Sequence, residues 1–373
     1  MVRVLGLVSF RIFPTHMGGQ KGVALFYEYL RKYAEVVLAG SSDNVPTDKI
    51  TMHRVLYPNK KMYRNFFKVD ELSKMVKDEN IDIIIAEHSY TAWMAWLLQK
   101  RTGKPFIIHS HNIESRRFQK MNKWWWKVYY GYEKWIHRRS AHNFFISEED
   151  RNIAISEFGI QGKDCTVITY GVQHIQIQKD KKQLRKQLGI KENQAILLFN
   201  GTLDYEPNYE AVVTLINEVE PLLRKKLDHF RIMITGNRAP ATLANLMLNA
   251  SNLEYLGYVE DVNLYYQCAD LFINPVANDS GVKTKLIEAI ANNCTAVSTE
   301  AGASGINKKA CGNKLVIARD NNWATFTDAI VSSLLSEPTD TPQDFYDHYS
   351  WENIASAAAS KIESLVNKTD SQV

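Results

Sequence analysis

A glycine, two lysines and an acid stand at the start of a predicted helix in the second half of the chain: Gly281, Lys283, Lys285 and Glu288. Lysines at a helix N-terminus oppose the helix dipole, so this arrangement costs stability unless an anion binds there. Lys285 and Glu288 share one helical face, which lets the acid reach a hydroxyl beside the anion. We expect a phosphate site here, with a surface ion pair as the alternative.

A second candidate anion site precedes the first in the chain. Gly201 and Thr202 open the segment 201–208, which joins a short apolar run to a predicted helix. Glycine lets the backbone approach a ligand closely, and a helix N-terminus attracts an anion. This loop therefore also predicts a phosphate contact.

The first half of the chain has a comparable loop at residues 16–22, where Gly18 and Gly19 follow the first apolar run. We expect a helix to begin near Val23 and the glycines either to contact an anion or to form a tight turn. Their spacing is not the G-x-G-x-x-G pattern, which argues against a nicotinamide-dependent dehydrogenase.

Polar residues cluster after the fourth predicted strand, namely His109, His111, Asn112 and Glu114. Ligands bind at the carboxyl ends of parallel strands, so these side chains are candidates for catalysis as well as for structural hydrogen bonds. His88 follows the third strand and is a weaker candidate.

Short runs rich in Val and Ile alternate with helical patterns, in one series within residues 2–146 and a second within 195–317. Apolar runs without polar alternation are typical of strands covered on both faces, and strand–helix repetition indicates a parallel, doubly wound sheet. The sequence therefore predicts an α/β fold with two Rossmann-like domains, 1–172 and 173–350, facing each other across a cleft.

The composition is that of an ordinary globular protein, with 45% hydrophobic residues and a net charge of +4. The four cysteines are far apart and have no C-x-x-C spacing, so neither a disulfide framework nor a zinc site is expected. The N-terminal apolar run is too short for a signal peptide, and no apolar run of about 18 residues is present. We expect a cytoplasmic protein.

Residues 101–139 contain ten Lys or Arg and only two acids. On a helical projection the basic residues form a stripe, so the segment predicts one amphipathic helix, or two that are broken near Gly131. The apolar face opposite the stripe comprises Phe118, Met121, Trp125, Val128, Tyr129, Tyr132 and Ile136.

Basic residues flanked by tryptophans suit an anionic membrane surface. The predicted membrane contacts are Lys120, Lys123, Lys127, Trp124 and Trp126. No nucleic-acid motif accompanies the stripe, so nucleic acid is not an expected partner.

The stretch from Leu253 to Ile306, which includes LEYLGYVEDV and DSGVKTKLIEAIANNCTAV, resembles the donor-binding core of family 4 glycosyltransferases, the retaining enzymes of the GT-B fold. GTLDYEPN at 201–208 resembles the opening of their second domain. Residues 350–352 resemble the start of their last helix, which implies a helix at about 351–366 that crosses back to the first domain. First-domain landmarks of the family match Gly18-Gly19, His111–Glu114, Glu133 and Ile146–Glu148.

The resemblance implies roles for residues of the second domain. Glu288 matches the acid that binds the ribose hydroxyls, and Lys283 and Lys285 match basic positions near the diphosphate. Arg238 can assist them, and Val259, with the two residues before it, matches the backbone segment that meets the base. No Asp-x-Asp occurs, which a bridging divalent metal normally needs, so we expect no metal, no cofactor and charge neutralisation by lysines, arginine and helix N-termini.

His111 matches the first-domain histidine that lies against the transferred sugar. One departure concerns the second acid that many members carry eight positions before the ribose-binding one. Here that position is Ser280, next to Asp279, so the chain looks like the branch with a glycine-plus-basic pattern. The sequence therefore leaves open which sugar is transferred and which residues contact its hydroxyl groups.

These features predict a glycosyltransferase that moves a sugar from a nucleoside-diphosphate sugar to a glycan or lipid-linked acceptor with retention. We expect it in the cytoplasm, peripherally on the inner face of the membrane. A nucleotide-sugar epimerase or hydrolase of the same fold and a non-catalytic nucleotide-sugar-binding protein are the alternatives.

Overall fold

The computed structural model describes residues 1–15, 18–173, 175, 180–191, 193–277 and 281–370. The chain divides into two compact units, which are described one at a time. The first unit comprises Met1–Gly171 and Tyr349–Val373, and the second comprises Val172–His348.

The strands of the described residues are β1 (Arg3–Val8), β2 (Glu35–Ser41), β3 (Thr51–Leu56), β4 (Ile83–Glu87), β5 (Phe106–Ser110), β6 (His142–Phe145), β7 (Cys165–Val167), β8 (Ala195–Asn200), β9 (Phe230–Thr235), β10 (Leu253–Gly257), β11 (Leu271–Asn274), β12 (Thr295–Thr299) and β13 (Leu315–Ala318).

The α-helices of the described residues are α1 (Gly18–Leu30), α2 (Val69–Asp78), α3 (Ala92–Thr102), α4 (Glu114–Lys120), α5 (Trp126–His137), α6 (Glu148–Ile153), α7 (Lys181–Gln187), α8 (Glu206–Thr214), α9 (Glu220–Leu223), α10 (Ala241–Leu248), α11 (Val262–Cys268), α12 (Thr284–Ala291), α13 (Lys308–Cys311), α14 (Trp323–Leu335), α15 (Gln343–Tyr349) and α16 (Trp351–Asp370). A 3-10 helix, Asn59–Lys68, joins β3 to α2.

The first unit is built on a parallel sheet with the order β3-β2-β1-β4-β5-β6-β7. Its central strands are apolar because helices cover both faces, and every residue of β4 and β5 is buried. Chain order reverses beside β1, which puts the carboxyl ends of β1, β4 and β5 next to one another. Such a reversal is where ligands bind in open α/β sheets.

The second unit repeats the plan with a parallel sheet in the order β10-β9-β8-β11-β12-β13. Buried Leu, Ile, Val and Phe side chains of its strands pack against α8, α10 and α14. The two parallel, helix-covered sheets confirm the predicted α/β class with two Rossmann-like sheets.

The last helix, α16, belongs to the first unit. Trp351 is buried and stacks on Tyr29 with ring centroids 6.3 Å apart. Glu352 accepts a hydrogen bond from Tyr33 Oη at 2.6 Å and forms an ion pair with Lys32. These contacts fix the start of α16 against α1.

Two local predictions are wrong. Helix α1 begins at Gly18 rather than near Val23, and both Gly18 and Gly19 are part of it. The basic segment is broken well before Gly131, which lies inside α5.

The break in the basic segment is a helix C-cap. Asn122 adopts a left-handed φ of 53° after the end of α4, and its amide donates to Gln119 O. The Lys123 amide donates to Phe118 O at 3.0 Å, which completes a Schellman motif. Because the break turns the chain, the predicted apolar face is not continuous, and Val128 is 75% exposed.

Candidate active site

Two helices of the second unit begin side by side at the carboxyl edge of its sheet. α8 follows β8, and α12 follows the neighbouring strand β11. Lys285 Nζ, in the first turn of α12, donates to Asn208 Oδ1 at 2.8 Å and lies 4.4 Å from the centroid of the Phe199 ring. The predicted segments 201–208 and 281–288 are therefore brought together.

Glycines allow the loops at this edge to pack closely. Gly236 has a φ of 148°, and a Cβ there would lie 1.8 Å from Gly201 O. A Cβ on Gly201 would lie 2.6 Å from Asn208, whose Nδ2 donates to Thr202 O at 3.0 Å. Loop-to-loop packing is thus a structural reason for glycine at both positions.

Arg238 follows β9 and reaches the same loop, with its Nη2 3.1 Å from the Asp204 carboxylate. The Gly236 amide donates to Gly257 O at 2.8 Å, which joins the end of β9 to that of β10, and Val259 follows there. The predicted nucleotide-binding residues of the second unit therefore lie along the carboxyl ends of four adjacent strands, β10, β9, β8 and β11.

The start of α12 differs in detail from the expectation. Lys283 is buried and lies just before the first turn, where its Nζ donates to Gly281 O at 2.7 Å. Gly281 has a φ of 80°, a conformation that favours glycine. Glu288 is partly buried in the next turn of the helix. Ser280 and Asp279, where the second acid of the family is missing, lie outside the described residues.

In the first unit, a buried carboxylate joins two histidines. Glu87 ends β4, and its Oε1 lies 3.2 Å from His109 Nδ1 while its Oε2 lies 2.6 Å from His111 Nε2. Burial alone would raise the pKa of Glu87, but the two imidazoles, His109 first, outweigh burial and hold that pKa well below its usual range. Burial, helped by the imidazoles of His88 and His109, lowers the pKa of His111 to about 4.

The charge states follow from these shifts. At neutral pH Glu87 is ionised and His111 is neutral. Because a carboxylate only accepts hydrogen bonds, the His111 proton is on Nε2, and Nδ1 has a free lone pair. His111 can therefore accept a hydrogen bond from a hydroxyl group.

A second carboxylate closes the other side of this cluster. His88 has a left-handed φ of 68°, and its ring stacks on His111 with centroids 4.3 Å apart. Its Nδ1 lies 3.3 Å from Oε1 of Glu114, a buried acid whose Oε2 accepts a hydrogen bond from Arg117 Nη1 at 3.2 Å. A non-glycine residue in this conformation stores strain, which is common at functional sites.

Glu133, which the sequence marks only by resemblance, holds the cluster from α5. Its carboxylate accepts from the amides of Glu114 and Ser115 and from Ser89 Oγ, each at 2.9 Å. Burial raises the pKa of Glu133 to about 6 in spite of these hydrogen bonds. The acid thereby satisfies the first amides of α4 and ties together the loops that follow β4 and β5.

The sequence did not identify Glu87 as a functional residue, although the adjacent His88 was a weak candidate. Its only signal is that it ends a buried strand next to β5. Glu87, His109 and His111 also offer three ligand atoms within 4.8 Å of one another, so within the part of the chain that the structure describes this group could hold a metal ion. Both oxygens of Glu87 already face imidazole nitrogens.

Gly18 and Gly19 open α1 at the carboxyl end of β1, the strand beside β4. Further along α1, the Phe26 ring packs 4.8 Å from that of His109. The glycines thus share the sheet edge of the histidine cluster. The preceding residues of the predicted loop, His16 and Met17, lie outside the described residues.

The predicted membrane contacts lie around the break between α4 and α5. Trp124 is 87% exposed, and Lys120, Lys123 and Lys127 are exposed around it. Trp126 is partly buried, with Lys127 Nζ 5.7 Å from its ring centroid. None of the described helices combines the length and apolar content that crossing a bilayer requires.

Two family models match the chain. Residues 18–174 match the model "Glycosyltransferase Family 4", and residues 194–336 match "Glycosyl transferases group 1". The two matches cover the strand-end segments of both units.

Two curated proteins match part of the chain at low sequence identity. An uncharacterized 44.6 kDa protein in the cps region of Klebsiella pneumoniae is 26% identical over 67% of this chain and 65% of its own length. Alpha-monoglucosyldiacylglycerol synthase of Streptococcus pneumoniae is 23% identical over 58% of this chain and 51% of its own length. The chain thus spans less than two thirds of the curated relatives it matches.

Solved structures resemble the whole chain. Sucrose-phosphate synthase from Thermosynechococcus elongatus has a TM-score of 0.73 at 14% identity, with 98% of this chain and 100% of that chain covered. Anabaena HepE in complex with UDP has a TM-score of 0.66 at 14% identity, with 100% and 99% covered. At such identities these likenesses concern the fold. With both halves matched by family models and the two-sheet GT-B architecture, the chain belongs to the family 4 glycosyltransferases.

Proposed function

We propose that this protein transfers a sugar, with retention and without a metal ion, from a nucleoside-diphosphate sugar to a glycan or lipid-linked acceptor. The observation that carries the proposal is the Lys285–Asn208 hydrogen bond, because it sets the N-termini of α8 and α12 side by side at one sheet edge. Two converging helix N-termini with a lysine between them suit a diphosphate.

In this proposal the second unit stabilises the leaving group. Lys285, Arg238 and the amides at the starts of α8 and α12 neutralise the negative charge that grows on the diphosphate as the glycosidic bond breaks. Glu288 accepts hydrogen bonds from the ribose hydroxyls, and the backbone near Val259 meets the base. The Anabaena protein solved with UDP and with UDP-glucose supports a nucleotide sugar as donor.

His111 then holds the transferred sugar. Its Nε2–H is committed to Glu87, so Nδ1 accepts a hydrogen bond from a sugar hydroxyl. A neutral imidazole fits this role because it adds no positive charge near a sugar that becomes cationic in the transition state. Retention of the anomeric configuration is proposed from family membership, and proton NMR of early product tests it.

The acceptor is proposed to be a growing glycan or a lipid-linked sugar at the cytoplasmic face of a membrane. A relative in a cps region and another named for a glycolipid product support an acceptor of the cell envelope. Exposed Trp124 with Lys120, Lys123 and Lys127 supports reversible attachment to anionic lipid.

Thermal unfolding with a panel of nucleoside diphosphates and their sugars tests the donor site, because a bound ligand raises the melting temperature. Product analysis with and without acceptor separates a transferase from an epimerase or hydrolase. A protein that binds donor and never turns it over would be a sensor and would contradict the proposed activity.

The membrane proposal is tested by replacing Lys120, Lys123 and Lys127 with Glu. Each basic residue near an anionic surface contributes about 1 kcal/mol, so the triple variant should lose flotation with anionic liposomes. Wild-type flotation should weaken with added salt, while donor binding stays unchanged in the variant. Wild-type protein that ignores anionic liposomes at low salt would exclude this partner.

A further inference from the structure

One residue from each of four neighbouring loops forms a connected row along the carboxyl edge of the first unit's sheet. The four strands that these loops follow are adjacent, in the order β2, β1, β4 and β5. The members of the row, in the same order, are Asn44, Phe10, His88 and His111. The proposed function gives His111 the transferred sugar, and the other three residues connect the loop after β2 to it.

The row begins at Asn44, whose side chain holds the loop after β1. Asn44 is 2% exposed, and its Oδ1 accepts hydrogen bonds from the amides of Ile12 at 2.8 Å and Phe13 at 3.0 Å. Its Nδ2 donates to Phe10 O at 3.2 Å. The amide of the next residue, Val45, donates to Phe13 O at 3.0 Å. Backbone groups of three residues in the loop after β1 are therefore bonded to the loop after β2.

The Asn44 side chain is itself held by the end of β2. Its Nδ2 also donates to Ser41 O at 3.0 Å, and its backbone oxygen accepts from Arg54 Nη1 at 3.2 Å. A carboxamide offers two N–H donors and one oxygen with two lone pairs, and here all of them are used. Because the side chain is buried, its loss would leave peptide groups of the loop after β1 without partners, which is costly. An alanine at this position would therefore release that loop.

Phe10 links the held loop to the histidines. Its ring meets the His88 ring edge to face, with centroids 5.5 Å apart. The His88 ring in turn stacks on His111 with centroids 4.3 Å apart. His88 has a left-handed φ of 68°, and a strained residue keeps its conformation only where its surroundings hold it. A shift of the loop after β1 would therefore displace His88 and, with it, the imidazole of His111.

We propose that Asn44 is a positioning residue for His111, which acts through the loop after β1 and through the rings of Phe10 and His88. The inference rests on the proposed function, in which His111 Nδ1 accepts a hydrogen bond from the transferred sugar. Asn44 itself touches neither substrate. Its loss should therefore lower turnover and leave nucleoside-diphosphate affinity unchanged, because the diphosphate is assigned to the second unit.

The first test is the kinetics of Asn44→Ala in the full chain. Because a small displacement of a group that holds the substrate lowers the rate strongly, kcat should fall at least about tenfold. The dissociation constant of the nucleoside diphosphate, measured by calorimetry, should stay within about twofold of the wild-type value.

Asn143→Ala is the matched control. Asn143 is fully buried in the same unit, and its Oδ1 lies 2.7 Å from His137 Nδ1 and accepts from Ser140 Oγ at 2.9 Å. It lies near the amino end of β6, at the opposite edge of the sheet from His111. The control should lower stability as Asn44→Ala does and leave kcat near the wild-type value.

A double-mutant cycle tests the route through Phe10. Phe10→Leu keeps an apolar side chain but removes the ring that meets His88, so it should lower kcat with a smaller loss of stability than Asn44→Ala. The variant that carries both substitutions should then have nearly the kcat of the slower single variant. A double variant in which the two losses multiply would show that Asn44 does not act through Phe10.

A further measurement needs no turnover. Heteronuclear NMR of the ligand-free chain with isotope-labelled histidine reports the tautomer and the surroundings of each imidazole, and the His111 signals are identified by their absence in His111→Gln. Asn44→Ala and Phe10→Leu should each shift the His111 ring signals. Asn143→Ala should shift those of His137 and leave those of His111 unchanged.

Unchanged kcat in a folded Asn44→Ala protein, an equal loss of kcat in Asn143→Ala, or unchanged His111 ring signals in Asn44→Ala would overturn the inference. Where Asn44→Ala does not fold, Phe10→Leu supplies both readouts, and wild-type kcat and ring signals in that variant would overturn it as well. A wild-type protein without turnover whose His111 signals still depend on Asn44 would retract the proposed function and keep the positioning of His111 by Asn44.

Discussion

Charged groups are arranged differently in the histidine cluster of the first unit and at the lysine-bearing helix N-termini of the second unit. Around His111, the buried carboxylate of Glu87 already lies within hydrogen-bonding distance of the His109 and His111 imidazoles. Around Lys285, the N-termini of α8 and α12 converge, with Lys283 and Lys285 at the start of α12 and Arg238 paired with Asp204 beside α8. The difference fits the proposed function, in which the first region positions a neutral sugar and the second binds a strongly anionic diphosphate.

The substitution Glu87→Gln should have the largest effect, and it tests the role of the histidine cluster in this comparison. The amide loses the charge that holds His111 Nε2–H, so the imidazole can turn, and a misplaced catalytic group costs about 100-fold in turnover. Nucleoside-diphosphate affinity, measured by calorimetry, should stay within about twofold of the wild-type value, since Glu87 is assigned no role in donor binding.

His137→Gln is the control for Glu87→Gln. His137 is buried in the same unit and bonded to Asn143 Oδ1 at 2.7 Å, outside the histidine cluster. It should change stability and leave turnover near the wild-type rate. An equal loss of turnover in both variants would mean that Glu87 acts only through the fold.

Lys285→Ala tests the other side of the comparison. Loss of a charge-assisted contact should weaken nucleoside-diphosphate binding by roughly 1.5–3 kcal/mol. Lys226→Ala, which removes a surface ion pair with Asp328 in the same unit, should not change it. Normal donor affinity in a folded Lys285→Ala protein would contradict the assignment of the α12 N-terminus to the diphosphate site.

A smaller effect concerns pH and the buried histidines of the first unit. Burial lowers the pKa of His137 from 6.5 to about 4, so the folded state resists a proton that the unfolded state accepts. Stability from this group is therefore complete above pH 6.5 and is lost as pH falls toward 4. Between pH 7 and pH 5 the wild type should lose about 2 kcal/mol more than His137→Gln in denaturant unfolding.

Other groups shift in the same pH range. Glu133, whose pKa is raised to about 6, changes stability in the opposite direction, which is why the test uses the difference between the two proteins. An identical pH dependence in wild type and variant would show that His137 titrates normally in the folded state.

The smallest expected effect is that of a chelator, which should leave turnover unchanged. Lysines, arginine and helix N-termini are assigned the charge that a bridging metal would otherwise neutralise. Activity that is lost in chelator and restored by magnesium or manganese would contradict that assignment. If the restoration also required His109, the metal site would be the cluster of Glu87, His109 and His111.

Much of the second region could be predicted from sequence because its parts are contiguous. A glycine-bearing loop followed by a helix is a local pattern, so segments 201–208 and 281–288 could be recognised one at a time. The Schellman cap at Asn122 was missed because asparagine is common in many kinds of turn and cap, so its presence alone does not predict a helix end. The helix start at Gly18 was missed because glycine does not by itself interrupt a helix.

The sequence by itself determined the α/β class, the alternation of strands and helices and the basic loops, since each depends on residues near one another in the chain. Tertiary structure alone decided that Glu87, His109 and His111 meet and that Glu133 binds the loops after β4 and β5. These pairings depend on which strand ends lie side by side and on which polar groups burial forces to find partners. No local pattern of residues specifies either one.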